Sequence, residues 1–288
     1  MPPQAELSGP PRFDHVFAVV SADAFAAVGA CELLTSEAFG RFAVRETEST
    51  LIGRYRPMRI IGEHTLIELF QDRIGEGEFA AVSCGLVFSF ARVGDCEAAR
   101  RRLSEAAIPF QAETLLRKRP SEGGLGLFYH STRPQVGGPL ALFLSEVTAD
   151  YMNYLGAPIG PDGRFDRASY HAASLGRPHS PNAILRDVVG ATLRLTPARA
   201  ARVAQVMALM GYAVAATPGE VRLTDGDVGI RLLTEPDGCA EGLREVWMRV
   251  SAGQPHYHFD FGVTSALELS PGGPDDPRAV WRFNLGQN

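Results

Sequence analysis

The stretch FDHVFAVV, Phe13 to Val20, is rich in β-branched and aromatic residues and reads as a buried strand with one imidazole, His15, near its start. Alternate side chains of a strand share a face, so Phe13, His15, Phe17 and Val19 are expected to point one way. The segment that follows, SADAFAAVGACELLTSEAF (21–39), offers Ser21 or Asp23 as a helix cap and places Phe25, Val28, Leu33 and Leu34 at helical spacing. Three strand candidates come next: RFAVRETE (41–48), GRYRPMRII (53–61) and HTLIELFQ (64–71). Together they make one βαβββ unit.

The order then repeats. CGLVFSFARV (84–93) is a strand, GDCEAARRRLSEAAI (94–108) a helix with a basic face, and 109–118, 125–133 and 140–148 are strands. Residues 150–183 are dense in glycine and proline and read as a linker or covering loop. Beyond them the pattern returns with a strand at 184–196, a helix at 197–212 and three strands to residue 235. A fourth, degenerate unit starts at LREVWMRVS (243–251), has no helix, and closes with HFDFG, ALELS and AVWRF. The reading is an α+β chain of tandem βαβββ modules: a leader (1–12), a paired domain (13–149), the linker (150–183) and a degenerate second pair (184–288).

Composition narrows the functional classes. A net charge of −5 without a basic stripe gives nucleic acid no electrostatic footprint. Four scattered cysteines form no CxxC pair, and no apolar run reaches the length of a membrane span. The expectation is a cytoplasmic protein with a small-molecule substrate or ligand, no nucleic-acid or membrane partner, and room for a homodimer.

Tandem βαβββ modules carrying FDHVFAVV at the first strand and HTLIELFQ at the fourth resemble the vicinal oxygen chelate superfamily, which includes glyoxalase I, extradiol dioxygenases and drug-resistance proteins. The resemblance implies two glyoxalase-like domains with cup-shaped mixed sheets. It also implies a divalent metal (Mn, Fe, Ni or Zn) held by His15 and Glu68, with Glu146 of LALFLSEVT as a further carboxylate. Glu68 and Glu146 would then double as catalytic groups. Gly85 falls where a second histidine is expected, so the set departs from the pattern. The C-terminal half offers no matching histidine and glutamate, and reads as a structural or lid-forming copy.

The residues support this chemistry by themselves. His64, Leu66, Glu68 and Phe70 share a strand face, and a buried carboxylate must be answered by a metal, a histidine or a proton. A metal with open positions would act as a Lewis acid on an enolate or oxyanion, giving a lyase, isomerase or dioxygenase. A core histidine with Glu68 as its ion-pair partner accounts for the same two residues. The loss of a ligand at position 85 favours a protein that binds or sequesters a small molecule without turnover. Phe17, Arg56, His64, Phe128 and His130 are the candidate substrate contacts. HYHFD holds the chain's only HxH, His256 and His258, whose commoner explanation is a solvent-facing rim pair, and SEGGLGLF (121–128) reads as a hairpin turn.

Overall fold

In chain order the first module comprises β1 (Arg12–Val20), α1 (Ala22–Ala30), α2 (Glu32–Thr35), β2 (Arg41–Val44), β3 (Thr47–Ser49), β4 (Gly53–Tyr55), β5 (Met58–Ile61) and β6 (Leu66–Gln71). The second comprises β7 (Cys84–Ser89), α3 (Asp95–Glu105), β8 (Phe110–Lys118), β9 (Leu125–Pro134) and β10 (Leu140–Val147). The computed structural model describes residues 6–118, 125–226, 228–235, 240–262, 265–269 and 278–283; most of the SEGG turn (121–124) lies outside them.

All ten strands join one sheet in the order β2-β5-β6-β1-β7-β10-β9-β8-β3-β4. β1 runs parallel to β6 and antiparallel to β7, so the two modules meet along the β1–β7 ladder. The expected strands 41–48 and 53–61 each break in two, because the β3–β4 hairpin leaves the first module and pairs with β8 of the second. β2 therefore begins the sheet order and β3 nearly ends it, yet only Arg45 and Glu46 connect them. The three Cα steps from Val44 to Thr47 span at most about 10 Å, so the sheet must curl until its margins come close.

After β10 come α4 (Ala149–Leu155) and α5 (Arg167–Leu175), where the sequence suggested a linker or covering loop. The second half comprises β11 (Leu185–Leu195), α6 (Pro197–Leu209), β12 (Ala213–Thr217), β13 (Glu220–Asp225), β14 (Val228–Thr234), β15 (Gly242–Val250), β16 (Tyr257–Asp260), β17 (Ser265–Leu269) and β18 (Arg278–Phe283). Its eight strands are ordered β12-β13-β14-β11-β15-β18-β17-β16, and no helix lies among the described residues between β15 and β16. The fold is thus α+β, two curled mixed sheets built from βαβββ modules.

One continuous core joins the halves. Val28 of α1, Leu103 of α3 and Val203, Val206 and Met207 of α6 pack with Leu86, Phe88, Leu193 and Val246 from the sheets. Phe88 meets Tyr212 edge to face at 5.3 Å, and the Tyr212 hydroxyl donates to the Pro11 carbonyl at 2.9 Å. Leu7 packs on this core, and Ser8 binds Asp95 at the start of α3, which is where the described part of the leader runs. None of the described helices is long and apolar enough to cross a membrane.

The opposite face of the N-terminal sheet lines its cup. There the β1–β7 register sets Phe17 against Gly85, and a Cβ at Gly85 would lie 2.2 Å from the Phe17 ring and 2.7 Å from the Ala141 carbonyl oxygen. No imidazole can stand at this position while Phe17 fills it. Gly85→Ala is expected to cost about 1–3 kcal/mol by overpacking. Gly229→Ala, whose Cβ would meet nothing within 4 Å, should leave the denaturation midpoint unchanged. Urea titration of the two variants checks this.

Candidate functional site

The cup holds a cavity of about 110 Å³, measured as the space open to the centre of a water molecule. One end is apolar: Phe17, Phe70, Ile74, Phe79, Val87 and Phe143 line it, with Phe17 edge-on to Phe70 at 5.5 Å. The other end is ionic and is roofed by α5. That helix is capped by Asp166, whose side chain accepts from the Ser169 N–H at 2.8 Å. Arg167, Tyr170, His171 and Ser174 recur at i, i+3, i+4 and i+7, so all four face the cup.

Two bulges decide what else points inward. The β1–β7 register slips between Phe13 and His15, leaving Asp14 as the extra residue. Phe13 consequently turns to the helix-side core with Val16 and Ala18, against the expected alternation, while Asp14 and His15 both face the cup. The β8–β9 register slips likewise between Leu115 and Leu116, so Phe128 and Tyr129 both line the cavity, their rings 4.1 Å apart.

These irregularities assemble a buried ionic network. His15 Nδ1 is 2.8 Å from Asp14 Oδ1, and its Nε2 is 3.5 Å from Glu68 Oε2. Arg59 Nε donates to Glu68 Oε1 at 2.6 Å. Arg167 pairs with Asp14 and donates to the Tyr129 hydroxyl at 2.6 Å. Burial works against every charge here, but the partners outweigh it. Arg167 and His15 hold the Asp14 carboxyl well below its usual range, and Arg59 with His15 brings Glu68 down to about 2. Burial opposes protonation of His15, yet Asp14 and Glu68 raise its pKa above 6.5. Burial and the Arg167 charge keep His171 neutral. Across the cup, burial lifts Glu113 to about 7 although the Ser49 hydroxyl donates to it.

His15 and Glu68 thus meet as expected, since β1 and β6 are neighbours in the sheet, and Phe17 and Phe128 line the cavity. Four other candidates do not reach it. Glu146 lies on the helix side of β10, where its oxygens accept from the Gly94 and Cys96 N–H groups at 2.9 and 2.8 Å. Gly94 has no side chain to cap α3, so Glu146 supplies the missing acceptor at the positive end of the helix. Its neighbour Ser145 faces the cup instead, bonded to Ser131 at 2.9 Å. His130 pairs with Glu146 across β9–β10 and shares its outward face. Arg56 is exposed, three residues before the arginine that enters the cup. His64 precedes β6 and binds Asp187 of β11 at 2.9 Å.

Among the described residues, ligating atoms of Glu63, His64 and Asp187 lie within 4.8 Å of one another and form a possible metal-binding group. Asp187 there already accepts from the His64 and Thr65 N–H groups at 2.7 and 2.9 Å. His256 and His258 are exposed on the C-terminal sheet and pair with Glu268 and Asp260, as a rim pair would.

The family model described as "Family of unknown function (DUF5829)" matches residues 13–283. The chain belongs to DUF5829. No curated protein matches it in sequence. In structure this DUF5829 chain is similar to a hypothetical protein from Staphylococcus aureus, with TM-score 0.54 and 8% identity over 86% of this chain and 94% of that one. It is similar to the Mn(II)-bound glyoxalase from Novosphingobium aromaticivorans, with TM-score 0.52 and 11% identity over 93% and 81% of the two chains. A catechol 2,3-dioxygenase aligns with TM-score 0.44 and 13% identity over 82% and 75%. The DUF5829 chain therefore shares the two-domain fold of that glyoxalase.

Two outcomes follow for this DUF5829 member. The His15 contribution to stability is fully present below pH 6.5 and is lost as pH rises through its raised folded pKa. The Glu68 contribution is present above pH 4.5 and is lost as pH falls through about 2. The unfolding free energy of wild type minus His15→Gln should therefore be largest between pH 4.5 and 6.5 and shrink on either side, as denaturation at a series of pH values will show. Glu146→Ala should lower stability by about 0.5–2 kcal/mol, the cost of a lost helix cap.

Proposed function

We propose that the cup binds a small organic molecule and does so without a metal ion. The observation that carries this reading is the Arg59–Glu68 hydrogen bond of 2.6 Å, which takes one oxygen of the carboxylate a metal would need and sets a guanidinium charge beside it. The rest of the donor set argues the same way. His15 has a carboxylate at each ring nitrogen, and Arg167 holds Asp14. The second module turns Val87 and Ser89 of β7 and Ala141, Phe143 and Ser145 of β10 toward the cup, and none is an imidazole or a carboxylate. A divalent cation would find two protein ligands and two guanidinium charges beside it, and these repel it.

The residues present do not fit the metal that the fold implies. The rival reading is a metal-dependent lyase, isomerase or dioxygenase with His15 and Glu68 as ligands. Its support is the fold shared with the Mn(II)-bound glyoxalase and the 3.5 Å approach of the two side chains.

Elemental analysis of wild type and His15→Ala, after incubation with Mn, Fe, Ni and Zn salts, separates the two. We expect no stoichiometric metal that depends on His15. Near one equivalent, lost in the variant, would overturn the proposal. In parallel, the neutral fluorescent probe N-phenyl-1-naphthylamine should bind one to one with an affinity unaltered by chelator. Failure to bind would equally overturn it.

A further inference from the structure

Arg59 and Arg167 each have a carboxylate within the cavity; two other arginines lining it do not. Arg45, in the two-residue link between β2 and β3, donates from Nη1 to the Ser174 carbonyl at 2.7 Å and lies 3.3 Å from the Ser174 hydroxyl. Arg117, on β8, is only 8% exposed, and its guanidinium carbon sits 3.7 Å from the centre of the Phe128 ring. Among the described residues neither forms an ion pair, and the Arg117 Nε has no hydrogen-bond partner. Burial, and after it the Arg117 charge, oppose the charge on Arg45.

Like charges facing one another in a low-dielectric cup are costly unless an anion joins them. The aromatic face of Phe128 offsets part of that cost for Arg117 and the Tyr151 hydroxyl accepts from its guanidinium, but its Nε is left without a partner. The cavity as a whole repeats the imbalance. Arg45, Arg59, Arg117 and Arg167 with His15 face only Asp14, Glu68 and Glu113.

On the reading that the cup binds a small molecule, we infer that Arg45 and Arg117 form its anion-recognition end, and that the ligand is an organic monoanion. A carboxylate or sulfonate would bridge the two guanidiniums beneath α5. The apolar body would extend toward Phe17, Phe70, Phe79 and Phe143. Glu68 and Glu113 line the same space and disfavour a second negative charge.

A matched pair of probes tests this: 8-anilinonaphthalene-1-sulfonate, and N-phenyl-1-naphthylamine, which keeps the aromatic body and lacks the sulfonate. Wild type should bind the sulfonate more tightly. Arg45→Gln and Arg117→Gln should each weaken it by about tenfold to a hundredfold, the range for a lost hydrogen bond to a charged group. The neutral probe should be held equally by all three proteins, and circular dichroism confirms that they are folded. Arg45 is the less buried of the two, so its variant keeps the test decisive if Arg117→Gln fails to fold. Equal affinity for both probes, unchanged by either substitution, would overturn the anion assignment and leave the small-molecule reading intact. Binding of neither probe would overturn both.

Discussion

A charge taken out of water has to be answered within a few ångströms, and the N-terminal cup is organised around five that answer one another. Asp14 and His15 come from β1, Arg59 from β5, Glu68 from β6 and Arg167 from α5. No two of these elements suffice. The β1 bulge is needed to turn two consecutive polar residues inward, the β5–β6 ladder sets Arg59 opposite Glu68, and α5 must lie across the mouth to deliver Arg167. The aromatic floor formed by Phe17, Phe70 and Phe143 keeps water from that group and so strengthens each pairing.

The two halves repeat one architecture and use it differently. In the C-terminal sheet, Arg231 bonds Glu220, Glu245 accepts from the Trp247 indole, and Arg282 bonds Glu268. These are partly exposed pairs, where charge is cheap. Among the described residues, only the N-terminal sheet has a hairpin that crosses to its far margin and a helix laid over its mouth. The difference between scaffold and container lies in those two additions rather than in the modules.

The repeating strand and helix periods made the modules legible, including the missing helix of the fourth, because burial on one face imposes those periods whatever the function. His15 and Glu68 were legible for the same reason, lying on adjacent strands of one module. Glu146 was misplaced by the parity of a strand: one residue of register separates the cup from the helix side, and Ser145 took the inward position. The bulges at Asp14 and Phe128 leave no local mark in the sequence, yet they reverse the alternation around them. Arg59 lies within the run PMRII with nothing local to mark it. The α5 stripe of Arg167, Tyr170, His171 and Ser174 did carry a helical period, but its glycine- and proline-rich flanks masked it.

The position of α5 has a consequence for how the chain matures. Every strand of the cup has been synthesised by Val147, but the guanidinium that answers Asp14 belongs to a helix that begins at Arg167. A nascent chain that has reached only β10 holds the complete sheet with Asp14 answered by His15 alone. At the boundary that its module pattern suggests, the cup therefore still lacks the Arg167–Asp14 pair. Its last stabilising contact arrives with the segment leading into the second half, and this ties completion of the first cup to the onset of the next.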